Sequence, residues 1–177
     1  IPFTVGGGIN SVEDAQAIIK AGADKVSINT AAVDHPEIVS EIAAKFGSQC
    51  VVLAIDTKLD DGEWKVYIHG GRTPTPLNAV DWALEGERRG AGEILLTSMN
   101  NDGTKNGFAL DITAAVSSAV NIPVVASGGA GTMQHFADVF QQTRASAALA
   151  ASIFHFGEIP IPRLKQFLKQ QNIEVRI

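Results

Sequence analysis

A chain of 177 residues, 45% of them hydrophobic, is long enough to bury a sizeable core. That excludes a disordered chain and a small scaffold stapled by disulfides or metal. A formal net charge of −5 argues against a nucleic-acid or anionic-membrane partner.

One cysteine, Cys50, permits no intrachain disulfide, and a reduced, cytoplasmic setting is the expectation. No apolar run approaches the roughly 20 residues of a membrane span. With no charged-then-apolar pattern in the opening residues, a signal peptide is not expected. It begins without Met on Ile1-Pro2-Phe3-Thr4-Val5, which reads as the middle of a strand.

In chain order, short apolar runs alternate with helical periodicity. The run Phe3–Val5 precedes Ser11 and Asp14, a capping-box-like start with Ala15, Ile18 and Ile19 on one face. Lys25–Ile28 is the second run, and Ile38, Ile42 and Phe46 follow Pro36 at helical spacing. Cys50–Ile55 is the third run. After it, Asp61-Gly62 sits between two strand-like arms, a hairpin signal, so residues 58–75 read as an insertion. Asn78 and Asp111 are expected to cap the next two helices around the run Glu93–Thr97. Ile122–Ala126 and Ala147–Ala151 are the last runs, and Leu164, Phe167 and Leu168 mark an amphipathic C-terminal helix. The runs are near-continuous, as strands buried on both faces are. Strand, helix, strand, repeated, means right-handed βαβ units and a parallel sheet.

The chain also repeats itself. Gly6-Gly7-Gly8 ends the first strand and Asn29-Thr30 the second; Ser127-Gly128-Gly129 ends the fifth and Ala151-Ser152 the sixth. The spacing is nearly the same, 22 positions from Gly8 to Thr30 and 23 from Gly129 to Ser152. Glycine just past a parallel strand lets a phosphate approach backbone N–H groups, and a following helix start favours the charge. Two such units fit a (β/α)8 barrel better than an open sheet, and they suit a ligand with a phosphate at each end.

Asp56 closes the third run at the carboxyl end of its strand, the face where barrels place their chemistry. A carboxylate edged by apolar residues there is suited to proton transfer. The loop Thr97–Gly107 is too polar for core and carries Asp102, Gly103 and Lys105 at the same face, although Asn-Asp-Gly is also an ordinary turn. Arg72 is a phosphate ligand or a mobile hairpin residue. His35, His69, His135 and His155 lack metal-ligand spacing, and no metal or cofactor is expected. Lys25 and Glu93 stand at the opposite, amino ends of their strands, where simple solvation would suffice.

Several long segments resemble the cyclase subunit of imidazole glycerol phosphate synthase. They include Phe3–Ile9, Gly22–Ala32, Gly90–Ser98, Asn101–Lys105, Ala126–Gly131 and Leu149–Phe156. The resemblance covers essentially the whole chain. It implies a (β/α)8 barrel with six of the eight βα units present and the first two missing, so residues 1–177 read as one partial domain. It implies an enzyme of histidine biosynthesis, a lyase, that joins glutaminase-derived ammonia to a phosphoribulosyl-formimino carboxamide ribotide with a phosphate at each end. Within it, Asp56 corresponds to a proton-transferring aspartate. Thr97, Asp102 and Ser127 correspond to contacts with the substrate's middle. Gly8, Asn29 and Thr30 correspond to one phosphate site. Gly103, Gly128, Gly129, Ala151 and Ser152 correspond to the other. Lys25 and Glu93 correspond to an ammonia gate, and Asp24 to the face where a glutamine amidotransferase subunit docks.

The family's first catalytic aspartate has no counterpart, so little turnover is expected of these residues alone. Pro76 and the glycine-free turn Gln142–Ser146 also depart from the pattern. The alternatives are the sister isomerase of the same pathway, which shares the two phosphate sites, and a non-catalytic phosphate-binding or glutaminase-docking fragment.

Overall fold

The computed structural model describes residues 1–176. Its elements run β1 (Thr4–Gly6), α1 (Val12–Lys20), β2 (Lys25–Ile28), α2 (Thr30–Asp34), α3 (Glu37–Phe46), β3 (Val51–Asp60), β4 (Glu63–Ile68), β5 (Thr73–Asn78), α4 (Ala79–Arg89), β6 (Glu93–Ser98), α5 (Leu110–Ala119), β7 (Val124–Ser127), α6 (Met133–Gln142), β8 (Ala147–Leu149), α7 (Ser152–His155) and α8 (Ile161–Gln170).

Six strands pair in parallel in the order β1-β2-β3-β6-β7-β8. Helices α1, α3, α4, α5, α6 and α8 pack side by side in that order along one face of the curled sheet. The architecture is α/β, six βα units of a (β/α)8 barrel.

Side chains alternate across each strand, and the two faces have different surroundings. Val26, Ile28, Leu53, Ile55, Ile94 and Leu96 are buried beneath the helices. Truncating any one of the isoleucines or leucines among them to Ala costs about 2–5 kcal/mol. Lys25, Ser27, Ala54, Asp56, Leu95, Thr97 and Ser127 take the alternate positions and are only partly covered.

Helix starts follow local chemistry. Ser11 Oγ accepts the Asp14 amide, and Asn78 Oδ1 accepts the amides of Val80 and Asp81. The expected cap at Asp111 is corrected: the N-cap of α5 is Ala109, without a side-chain bond. Asp111 sits in the first turn, where its carboxylate accepts the Trp64 indole N–H at 3.2 Å. The glycine-free turn after α6 closes differently from α4. Gly90 ends α4 in a left-handed conformation, whereas the Thr143 hydroxyl donates back to the Val139 carbonyl at 2.6 Å.

Strand β3 runs past the barrel sheet into an antiparallel hairpin with β4, turning at Asp61 (φ 51°) and Gly62 (φ 82°) as a two-residue type I′ turn requires. A third strand, β5, joins the hairpin's far edge, and an edge tolerates Pro74 and Pro76.

Candidate functional site

The register brings Asp56 beside Thr97, and Thr97 beside Ser127, in one row across β3, β6 and β7. The row lies at the carboxyl ends of these strands, on the face the helices leave open. Asp56 also pairs with Tyr67 of β4, so it stands where β3 leaves the sheet for the hairpin. Burial raises the Asp56 carboxyl above its usual range, a hydrogen bond from Asn29 partly offsets that, and the nearby Asp102 charge raises it further. Asn29 Nδ2 donates to Asp56 Oδ2 at 3.1 Å and to the Tyr67 carbonyl at 3.2 Å. Its Oδ1 is buried and has no partner among the described residues. An orphan acceptor is matched by a ligand hydroxyl or N–H, not by an ionised phosphate oxygen.

Two hollows flank this row. The first, about 380 Å³, lies at the ends of β1, β2 and β3; Asp56, Asn29, Thr30, Gly8 and Arg72 line it. Gly7 (φ 90°) and Gly8 (φ 71°) have left-handed backbone, and a Cβ on either would meet nothing within 4 Å. Their open surroundings leave room for a ligand against the main chain. Thr30 Oγ1 accepts the His69 amide at 2.9 Å.

The second, about 250 Å³, lies at the ends of β7 and β8 and is lined by Asp102, Gly103, Lys105, Gly128, Ala151 and Ser152. Here the glycine pair is packed. A Cβ at Gly128 would sit 2.6 Å from the Ser98 carbonyl oxygen, and one at Gly129 would overlap the Gly107 carbonyl. The Gly107 amide donates to the Gly129 carbonyl at 2.8 Å, and Asn101 Nδ2 donates to the Gly107 carbonyl at 2.8 Å. Thus Gly128 and Gly129 let the loop after β6 close on β7, while Gly103 (φ 75°) stays open like Gly7 and Gly8. A larger hollow of about 680 Å³ is lined only by C-terminal residues such as Lys169 and Arg176, away from every strand end.

At the amino ends, Lys25 Nζ lies 2.6 Å from Glu93 Oε2. The Asp24 carboxylate accepts the Phe3 amide at 2.8 Å. So Lys25 and Glu93 are joined to each other, at the end of the strands opposite Asp56.

Two residues carry more than their sequence shows. His135 accepts the Gly131 and Thr132 amides on Nδ1 and completes a capping box on α6. Arg72 faces the first hollow rather than bulk solvent alone. Among the described residues no cluster of His, Cys, Asp or Glu is arranged to hold a metal, and no helix is long and apolar enough to cross a membrane. The arrangement is a half-buried carboxylate lining one of two hollows, in a row of residues that leads to the other. It can move a proton in the middle of a ligand held at both ends.

The sequence profile of the family described as histidine biosynthesis protein matches residues 1–160. The chain is 60% identical, over its whole length, to the imidazole glycerol phosphate synthase subunit HisF of Flavobacterium johnsoniae, of which it covers 70%. It is 59% identical over its whole length to the HisF subunit of Flavobacterium psychrophilum, again 70% of that protein. Against the HisF subunit of Halalkalibacterium halodurans, identity is 58%, covering 99% of this chain and 71% of the relative.

Proposed function

The chain belongs to the histidine biosynthesis family, among the HisF cyclase subunits of imidazole glycerol phosphate synthase, and from that premise we propose how its residues act. Asp56 is the acid/base. Its half-buried carboxyl, lining one hollow and in a row with Thr97 and Ser127 that leads to the other, is the observation that carries the reading. The substrate is a phosphoribulosyl-formimino carboxamide ribotide with a phosphate at each end. One phosphate meets the open main chain of Gly7 and Gly8 with Thr30; the other meets Gly103, the edge of Gly128-Gly129, Ala151 and Ser152. Thr97, Asp102 and Ser127 face the reacting middle.

Ammonia attacks the ribulosyl carbonyl carbon, and cleavage and ring closure then need a group that both takes and returns a proton. A carboxyl raised by burial is matched to that exchange. Asn29 Oδ1, without a partner among the described residues, is an acceptor for a substrate hydroxyl or for the incoming ammonia's N–H.

Ammonia reaches this face from a glutamine amidotransferase subunit docked at the amino ends, beside Asp24, past the Lys25–Glu93 pair. The enzyme works in the cytoplasm. A second proton-transferring aspartate, known in the family, has no counterpart in residues 1–177, so these residues alone are expected to turn over little. The test is formation of imidazole glycerol phosphate by the chain alone and by the synthase assembled with its glutaminase, each driven by ammonium and by glutamine. Ammonium-driven turnover that ignores Asp56 sinks the proposal.

A further inference from the structure

The hairpin returns to the barrel through three consecutive left-handed residues, His69 (φ 56°), Gly70 (φ 65°) and Gly71 (φ 79°). That conformation is unfavourable for a residue with a Cβ, so His69 is held there by its surroundings. The holders are identifiable. Thr30 Oγ1 takes the His69 amide at 2.9 Å. Met99 packs on Gly71, where an added Cβ would stand 2.6 Å from the methionine methyl. The turn is thus pinned to the end of β2 on one side and to the loop after β6 on the other.

What the pinned turn delivers is Arg72. Its amide donates to the Ile68 carbonyl at 3.1 Å, and its Nε donates to the His69 carbonyl at 2.7 Å. Among the described residues no carboxylate forms an ion pair with it, so the terminal Nη edge is uncommitted. Arg72 lines the same hollow as Gly7, Gly8 and Asp56, and among the described residues it is the one permanently positive group there. The second hollow differs. Its cation, Lys105, is neutralised by Glu158, with Nζ 2.7 Å from each carboxylate oxygen.

A phosphate entering the first hollow approaches the Asp56 carboxylate, and two anions brought together out of bulk water need a counter-charge. We infer that Arg72 is the cationic ligand for a phosphate monoester in the hollow beyond β1 and β2, presented by the left-handed turn 69–71. The inference deepens the reading of that hollow as one phosphate end of the site. Guanidinium suits the task because its planar edge binds two phosphate oxygens at once.

The test is a site-resolved NMR titration of the whole chain with inorganic phosphate, against chloride at matched ionic strength. The Gly7 and Gly8 amides report the first hollow, and those of Gly103 and Gly129 report the second. Arg72→Gln is expected to weaken phosphate binding at Gly7 and Gly8 at least tenfold, with no change at Gly103 and Gly129. Arg72→Lys keeps the charge without the fork, and an intermediate affinity is expected. Unchanged affinity at Gly7 and Gly8 in Arg72→Gln overturns the role of Arg72 alone. An equal loss at all four glycines also overturns it, because the change is then global. No response of Gly7 and Gly8 in the unsubstituted chain removes the phosphate reading of the hollow and this inference with it.

Discussion

Asn29 Nδ2 donates to Asp56 Oδ2 at 3.1 Å, across 27 residues of sequence, while its own Oδ1 stays buried with no partner among the described residues. One amide therefore orients the carboxylate and offers an acceptor beside it. Both residues stand at the open ends of adjacent parallel strands, where the helix-covered core stops and the hollows begin.

Removing that amide has a predictable effect. The Asn29 bond holds the Asp56 carboxyl down against burial, so in Asn29→Ala the carboxyl rises further. The acid limb of the pH–rate profile moves to higher pH, and turnover falls roughly ten- to hundredfold, as for one lost hydrogen bond to a charged group. A profile that does not move counts against Asn29 as a positioning residue.

Asp56→Asn in the synthase assembled with its glutaminase is expected to lower ammonium-driven turnover about 10²- to 10⁴-fold, the usual worth of a positioned acid/base. Stability should change in the opposite sense. A carboxyl raised in the folded state binds its proton more tightly there than in the unfolded chain. Its stabilising effect is complete below the ordinary aspartate value of 3.8 that the unfolded chain keeps, and is lost as pH rises through the higher value in the folded state. The Asn variant should melt above the unsubstituted protein at neutral pH, and the two should converge in acid. Thermal melts across pH read this directly.

The two glycine pairs should respond differently to alanine. Gly8→Ala meets nothing within 4 Å and suffers only the strain of a left-handed backbone, about 1–2 kcal/mol. Gly129→Ala adds a clash with the Gly107 carbonyl to φ 99°, and should cost about 3 kcal/mol or more. Denaturant unfolding of both variants tests the difference; equal losses would mean that Gly129 does not hold the loop after β6.

At the amino ends, Lys25→Met breaks the pair with Glu93. Its partial exposure limits the stability effect to about 1 kcal/mol or less, measurable in a double-mutant cycle. The kinetic effect should be selective: glutamine-driven turnover falls while turnover at saturating ammonium is retained. Equal losses with both nitrogen sources would remove the gate from the proposal.

Much of this was legible in the sequence wherever the signal is local. Asp61-Gly62 makes a hairpin because both residues accept left-handed backbone, and Asn78 caps α4 through amides two and three residues on. Asp56 was visible because an apolar run must end at one face of a barrel. Long-range partners were not visible. Asp111 resembled a cap, but Trp64, 47 residues away, engages its carboxylate. The posture of Arg72 depends on His69 being fastened to Thr30 across 39 residues, and no spacing rule encodes that. The glycine pairs look equivalent in sequence and diverge only when the loop after β6 packs on one of them.

Strand β3 has a further consequence. It is zipped to β2 and β6 along its first part and to β4 along its second, in one unbroken run. Adjacent side chains on a strand point to opposite faces, so a slip of a single position would turn Asp56 into the helix layer and bring Ile55 or Thr57 to the open side. The two-residue turn at Asp61-Gly62 admits one alignment of the hairpin arms. The orientation of a carboxyl group is thereby tied to the number of residues in a turn roughly 17 Å along the strand.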